Sequence, residues 1–149
     1  MIVKSLEHLN SLSQKVADKI DKNDCIFLIG EIGVGKTTFT RYLINRLQEK
    51  NGEKITEVLS PTFNLLYEYD LKTIKIMHYD LYRIKDEKEL KHLGIFLDKK
   101  DTIKIIEWPQ LINIPSLDKL EMHIDYADNE NEREIKFKGS GKWKILNEL

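Results

Sequence analysis

GEIGVGKT, residues 30–37, is the stretch that decides the fold, because it matches the pattern G-x-x-x-x-G-K-[ST] at every fixed position. The apolar run CIFLI, residues 25–29, precedes it, and an amphipathic segment that begins at Lys36 follows it. A strand before and a helix after form the setting in which this pattern makes a phosphate-binding loop. The sequence therefore predicts a P-loop α/β fold with a nucleotide triphosphate site at residues 30–37, the glycine loop.

The residue types within the glycine loop suit phosphate binding. Gly30, Gly33 and Gly35 can adopt backbone conformations that other residues avoid, so successive N–H groups can face phosphate oxygens. The helix that follows directs the positive end of its dipole at the same anion. Lys36 has the reach to contact the β and γ phosphates, and the hydroxyl of Thr37 suits Mg²⁺.

In the rest of the chain, segments whose apolar residues have the spacing of a helix alternate with segments that have the pattern of a strand. Helices are predicted after a Ser5 cap, from Lys36 to about Gln48, and after an Asp86 cap. The runs CIFLI and TIKIIE, the latter at residues 102–107, have the apolar character of strands buried on both faces.

Two antiparallel hairpins complete the predicted sheet. Residues 64–70 and 73–81 are aromatic and β-branched with a tight connection, and residues 120–126 and 134–139 alternate in polarity around a polar turn. A chain of 149 residues has the size of one ordinary domain. We therefore predict a single α/β domain with a mixed central sheet, antiparallel hairpins and flanking helices.

Two carboxylates follow apolar strand segments, Asp80 after MHY and Glu107 after II. Ligands of open α/β sheets lie beyond the carboxyl ends of the strands, and a carboxylate in apolar surroundings needs a compensating charge. Magnesium triphosphate would supply that charge. We predict that one carboxylate binds the ion, directly or through water, and that the other aligns the attacking water, with both assignments open at this point.

The segment SPTF, residues 60–63, is a candidate switch. Thr62 offers a hydroxyl and a backbone amide that can sense a γ phosphate, so the loop would order or relax on hydrolysis. Arg83 lies three residues past Asp80 and is a candidate contact for transferred phosphate or for a partner. The four histidines share no metal-ligand spacing and are predicted to be structural or exposed.

The composition of the chain limits the functions and locations that are expected. The 24 basic and 25 acidic residues give a formal charge of -1, so tight nucleic-acid binding by the protein alone is not expected. No apolar stretch approaches the roughly 20 residues that span a bilayer, and the N-terminus lacks the apolar core of a secretory signal. We predict a cytoplasmic protein without membrane contact, in which Cys25 is a buried thiol.

The order of the motifs resembles a known family. The segments GEIGVGKTTFTR, SPTFNLLYEY, HYDLYRI, ELKHLGI and IIEWPQ follow one another with the approximate spacing of the bacterial TsaE family. The resemblance covers essentially the whole chain, and the combination of SPTF, HYDLYR and EWP is highly specific. Where the family pattern usually has Asp-Leu-Gly-Ala, this chain has the conservative sequence Glu-Ile-Gly-Val at residues 31–34.

This resemblance implies a small cytoplasmic ATPase that binds ATP or ADP with Mg²⁺ and hydrolyses ATP slowly. Members of the family act with the TsaB and TsaD proteins, which together install a threonylcarbamoyl group on the adenosine beside the anticodon of tRNA. The TsaE protein supports multiple turnovers of the complex and does not transfer the group itself. Contact with tRNA is therefore implied to be indirect, through the complex.

Individual roles also follow from the resemblance. By this resemblance, Thr37 and Glu107 correspond to magnesium ligands, and Asp80 corresponds to the carboxylate that assists hydrolysis. Thr62 corresponds to the switch threonine, and Trp108 to an aromatic residue needed for activity or docking. Leu6 is similar to a position at the adenine edge, and Arg133 to one that closes over the nucleotide. The implied nucleotide cradle comprises Ile32, Gly33, Val34, Gly35, Lys36, Thr37 and Thr38.

Three other functions share the glycine loop. A small-molecule or nucleoside kinase normally has an Arg-rich lid, and no such segment is visible in the sequence. A GTPase would carry the guanine-reading motif Asn-Lys-x-Asp, which is absent, so ATP is favoured. A non-catalytic, nucleotide-dependent adaptor could have this same sequence, and only turnover distinguishes it.

Overall fold

The structure, a computed structural model, describes residues 1–97, 100–113 and 118–149. Short 3₁₀ helices span Pro109–Leu111 and Gly141–Glu148. Within the described residues, no helix has the length and apolar character needed to cross a membrane. The other elements, in chain order, are β1 (Ile2–Val3), α1 (Leu6–Lys19), β2 (Cys25–Ile29), α2 (Lys36–Lys50), β3 (Leu66–Asp70), β4 (Lys75–Asp80), α3 (Glu87–His92), β5 (Thr102–Glu107), β6 (Leu120–Tyr126) and β7 (Arg133–Gly139).

The strands form one seven-stranded sheet in the order β1-β7-β6-β2-β5-β4-β3. The four central strands run parallel, because β2 pairs in parallel with β5 and β6, and β5 pairs in parallel with β4. The pairs β3–β4, β6–β7 and β1–β7 are antiparallel. The predicted mixed α/β sheet with two antiparallel hairpins is confirmed.

Local signals explain where the helices begin. The side chain of Ser5 accepts a hydrogen bond from the backbone N–H of His8 at 3.1 Å, and that of Asp86 accepts one from the N–H of Glu89 at 3.0 Å. Both are N-caps at the positions that the sequence predicts. Helix α2 ends at Lys50, about one half-turn beyond the predicted end. Strand β1 was not predicted, because a strand of two residues is too short to show alternating polarity.

Two apolar clusters cover the faces of the sheet. The larger one joins α1 and α2 to the sheet, and the smaller one lies on the opposite face with α3. Cys25 belongs to the smaller cluster, is 4% exposed, and is a free thiol as predicted. Burial raises the pKa of Cys25 to about 12, so the group remains a protonated, apolar core residue.

Candidate functional site

The carboxyl ends of the central strands bring distant parts of the chain to one edge of the sheet. In the strand register Glu107 lies beside Leu28 on one side and beside Asp80 on the other. The glycine loop leaves the sheet at the same edge, directly after β2. The structure therefore places both predicted carboxylates next to the glycine loop.

The backbone of the glycine loop depends on its glycines. Gly33 and Gly35 have φ angles of 78° and 127°, a region that side-chain-bearing residues rarely adopt. A Cβ atom on Gly30 would lie 2.5 Å from the carbonyl oxygen of Ile124 in β6, so only glycine permits this close approach. Helix α2 then begins at Lys36, with the free N–H groups of its first turn next to the loop.

Lys36 is a buried cation at the centre of the loop, with 5% of its surface exposed. Its Nζ donates to the carbonyl oxygens of Gly30 and Glu31 at 2.6 and 2.8 Å and lies 4.6 Å from the ring centre of Trp108. Burial lowers the pKa of Lys36, while the nearby carboxylates of Glu107 and Asp80 act in the opposite direction. An anion at this position would restore the electrostatic stabilisation that the cation loses on burial.

Thr37 and Glu107 both line a cavity of about 120 Å³ over the N-terminus of α2. The Thr37 hydroxyl donates to the Glu107 carboxylate, with distances of 3.3 and 3.4 Å to its two oxygens, and Glu107 is only 2% exposed. The cavity therefore combines backbone N–H groups, one hydroxyl and one carboxylate. Its lining residues are Gly33, Gly35, Lys36, Thr37, Thr38 and Glu107.

Asp80 connects the site to the SPTF segment. Its carboxylate accepts one hydrogen bond from the Thr62 hydroxyl and one from the backbone N–H of Tyr82, both at 2.9 Å. The Ser60 hydroxyl lies 2.8 Å from that of Thr62. Because Thr62 uses its proton on Asp80, Ser60 is the donor in that contact. The predicted switch residue and the predicted hydrolytic carboxylate are thus joined by a direct hydrogen bond.

Trp108 follows Glu107 with backbone angles of φ 58° and ψ 59°, a left-handed conformation that is uncommon for a bulky residue. This turn directs the indole ring between Lys36 and the ring of Tyr82, whose centre is 4.8 Å away. Ile32, Lys36, Asp80, Glu107 and Trp108 all line one cavity of about 180 Å³. Strained backbone concentrates at functional sites, which supports a role for Trp108 here.

Leu6 and Arg133 line a different cavity, of about 200 Å³, on the other side of the glycine loop. Arg133 Nε donates to the carbonyl oxygen of Val34 at 2.8 Å, and its guanidinium lies 4.4 Å from the ring centre of Tyr126. The predicted site residues therefore form two groups that the glycine loop joins. Val34, Gly35 and Thr38 also line this second cavity, and Gly33 borders both.

The family model described as "Threonylcarbamoyl adenosine biosynthesis protein TsaE" matches residues 3–135 of the chain. The chain belongs to the TsaE family. A relative named tRNA threonylcarbamoyladenosine biosynthesis protein TsaE, from Rickettsia felis, is 35% identical over 136 residues, which is 89% of this chain and 75% of that protein. A relative with the same name from Bacillus subtilis is 31% identical over 138 residues, 91% of this chain and 82% of that protein.

A solved structure supports the same assignment. The crystal structure of YdiB from Bacillus subtilis resembles this TsaE-family chain with a TM-score of 0.70 and 26% sequence identity. The likeness covers 99% of this chain and 90% of that one. Family and fold are therefore both as the sequence predicts.

Sequence reasoning missed the histidine partner of Glu107 in this TsaE-family chain. His78 is buried, as a structural histidine would be, but its Nε2 lies 2.6 Å from the Glu107 carboxylate. Because side chains alternate in direction along a strand, the sequence MHYD does place His78 on the same strand face as Asp80. Its contact with Glu107 depends on the pairing of β4 with β5, for which no local pattern exists.

Proposed function

We propose that this chain binds ATP with Mg²⁺, hydrolyses ATP slowly, and acts with TsaB and TsaD in the threonylcarbamoyladenosine modification of tRNA. Membership of the TsaE family and the names of its relatives support the role in that pathway. One observation supports the assignment of ATPase activity. A single cavity beside the glycine loop is lined by Lys36, Thr37, Asp80 and Glu107.

The phosphate chain fits the glycine loop because the loop offers several kinds of donor at once. The first turn of α2 provides unpaired backbone N–H groups, and Lys36 provides a buried cation within the same cavity. A phosphate oxygen is a stronger acceptor for Lys36 than the two carbonyl oxygens that it contacts. Anion binding at this helix terminus follows from the same physics.

The residues around Thr37 fit a magnesium ion. A hydroxyl and a carboxylate are hard oxygen donors, which Mg²⁺ prefers, and this ion usually takes its other ligands from phosphate and water. Within the described ranges, no group of three or more His, Cys, Asp or Glu residues could hold a metal ion alone, which agrees with a site completed by the nucleotide. Bound Mg²⁺ would neutralise charge on the phosphates.

Asp80 and Thr62 are assigned to hydrolysis. Asp80 is 4% exposed and lines the same cavity as Lys36, where its carboxylate can orient the attacking water and accept its proton. Thr62 already donates to Asp80. Movement of the SPTF segment would therefore change the hydrogen bonding of the hydrolytic carboxylate, which is how a switch loop would act.

The second cavity suits the adenosine part of the nucleotide. It adjoins Gly33, Val34 and Gly35 of the glycine loop, and its wall combines apolar side chains with the guanidinium of Arg133. A flat purine ring has apolar faces and polar edges, which match this mixture. Leu6 would contact the adenine base, and Arg133 would close the site beside Val34.

Three measurements test this proposal. Calorimetric titration of the isolated chain with ATP, with and without Mg²⁺, tests binding, and phosphate release tests slow hydrolysis. Reconstituted tRNA modification with TsaB and TsaD, with and without this chain, tests the biological role through multiple-turnover product. Binding and modification without phosphate release would indicate an adaptor, and phosphate transferred to a metabolite would indicate a kinase.

A further inference from the structure

The buried carboxylate of Glu107 contacts His78 as well as Thr37. The His78 side chain has no exposed surface, and its Nε2 lies 2.6 Å from Oε2 of Glu107. The contacts of Glu107 with the Thr37 hydroxyl are much longer, at 3.3 and 3.4 Å. Since hydrogen bonds weaken with length, His78 is the stronger of the two restraints on the carboxylate.

The contact fixes where the imidazole carries its proton. An ionised carboxylate only accepts hydrogen bonds, so Nε2 must be the donor. The other nitrogen, Nδ1, is buried and has no hydrogen-bond partner within the described part of the chain. A proton on Nδ1 instead would leave a buried donor unsatisfied and set two lone pairs against each other at 2.6 Å. The Nε2–H tautomer is therefore the one that the structure accommodates.

We propose that His78 is a positioning residue for the magnesium site. By donating Nε2–H to Oε2, it fixes the rotamer of Glu107 and keeps both carboxylate oxygens beside the Thr37 hydroxyl and the cavity over α2. This inference rests on the proposed function, in which Glu107 and Thr37 hold Mg²⁺. Groups that orient a metal-binding carboxylate through a hydrogen bond act in this way in other proteins.

The strand register explains why β4 is suited to this task. His78 and Asp80 are two residues apart on β4 and point to the same face of the sheet, where β5 delivers Glu107 opposite Asp80. One strand therefore presents the hydrolytic carboxylate and also restrains the metal-binding one. Without the His78 bond, the hydrogen bonds from the described residues to the Glu107 carboxylate would be reduced to the two long contacts with Thr37.

The test compares His78→Leu with His78→Gln. Leucine fills a similar apolar volume without a donor, whereas the glutamine amide nitrogen reaches about as far from the backbone as Nε2 of histidine. ATP affinity would be measured by calorimetry over a range of Mg²⁺ concentrations and again in EDTA. We expect His78→Leu to raise the Mg²⁺ concentration for half-maximal effect by about 10- to 100-fold, with His78→Gln close to wild type. Affinity in EDTA should be the same in all three.

His123 provides a matched control. Its Nε2 lies 3.2 Å from Oε2 of Glu121 on β6, in a His–Glu contact that does not border the glycine loop cavities lined by Lys36. His123→Leu should leave the Mg²⁺ dependence unchanged. Thermal unfolding would verify that each variant is folded, and if His78→Leu does not fold, His78→Asn replaces it because its amide is too short to reach Glu107.

Different results identify different failures. If His78→Leu is folded and has the Mg²⁺ dependence of wild type, the positioning role is wrong. The role is also wrong if affinity falls equally with Mg²⁺ and in EDTA, because such a loss reflects general damage to the site. A wild-type chain without Mg²⁺-dependent ATP binding would overturn the proposed function, and this inference with it, before any variant is compared.

Discussion

Asp80 lies directly opposite Glu107 in the register of β4 and β5, yet the two carboxylates have different hydrogen-bond partners. Asp80 accepts from Thr62 of the SPTF segment, whereas Glu107 accepts from Thr37 at the start of α2. Neighbouring carboxylates in distinct environments can perform distinct roles. This difference supports Asp80 as the residue that orients water and Glu107 as the ligand of the ion, a division that the strand patterns alone left open.

Asp80→Asn should separate hydrolysis from binding. The amide keeps the shape of the side chain but is a far weaker proton acceptor, so we expect the rate of phosphate release to fall about 100-fold or more. ATP affinity should change by less than about fivefold, or roughly 1 kcal/mol. Asp70→Asn, at an exposed carboxylate in the β3–β4 hairpin, is the control and should leave both quantities unchanged. An equal loss of binding and turnover would contradict the assignment of Asp80.

Lys36→Ala should weaken binding itself. Charge-assisted hydrogen bonds contribute about 1.5–3 kcal/mol, so ATP affinity measured by calorimetry should fall about 10- to 100-fold. Lys15→Ala removes an equivalent charge from the exposed face of α1 and should have no effect. Unchanged affinity in Lys36→Ala would mean that the phosphates bind away from the glycine loop.

The local parts of this fold were predictable, and the pairings between distant segments were not. The caps at Ser5 and Asp86 and the glycine loop each have a signal within a few residues. The contact of His78 with Glu107 instead arises from residues 29 positions apart on paired strands. Because strand order and register are properties of the whole sheet, side-chain contacts across strands appear only once the sheet is assembled.

The division of the candidate residues between two cavities illustrates the same limit. The sequence motifs place Thr37, Asp80 and Glu107 near one ligand, and the structure brings these three together. Leu6 and Arg133 lie on the other side of the glycine loop. Motif spacing indicates which residues contact a nucleotide, but the side of the loop on which each one lies depends on how α1 and β7 pack against it.

Gly35→Ala and Gly52→Ala form a matched pair of backbone tests. Both glycines have positive φ angles, 127° and 69°, and neither has a neighbour within 3.4 Å of an added Cβ, so the penalty is conformational. Gly52→Ala should lose about 1–2 kcal/mol of unfolding free energy in urea titrations, and Gly35→Ala at least as much, because its φ lies beyond the left-handed region that other residues can adopt. Only Gly35→Ala should also lose ATP affinity, because Gly52 follows the far end of α2. Equal affinity in the two variants would argue against phosphate contact with the loop backbone.

Stability should fall in alkaline solution as Cys25 titrates. Burial raises the pKa of this thiol from 9.0 to about 12, so the folded protein retains a proton that the unfolded chain releases first. The stabilisation is complete below pH 9 and is lost as the pH rises toward 12. Cys25→Ala should reduce the slope of unfolding free energy against pH in that window by up to about 1.4 kcal/mol per pH unit. Identical slopes in both proteins, measured by urea titration, would show that the thiol is not buried in solution.

Leu6→Ala should distinguish adenosine contacts from phosphate contacts. Leu6 is 64% exposed and lines the second cavity, so its loss should hardly affect folding but should remove apolar surface from the base. We expect ATP affinity to fall about four- to fifteenfold, which corresponds to burial of roughly one or two methylene groups. Affinity for inorganic tripolyphosphate, which has no base, should not change. Ile145→Ala removes an equally exposed apolar side chain, at 61%, from the C-terminal 3₁₀ helix and is the control. If Leu6→Ala weakened tripolyphosphate and ATP by the same factor, Leu6 would act through the glycine loop, and the second cavity would lose its assignment to the base.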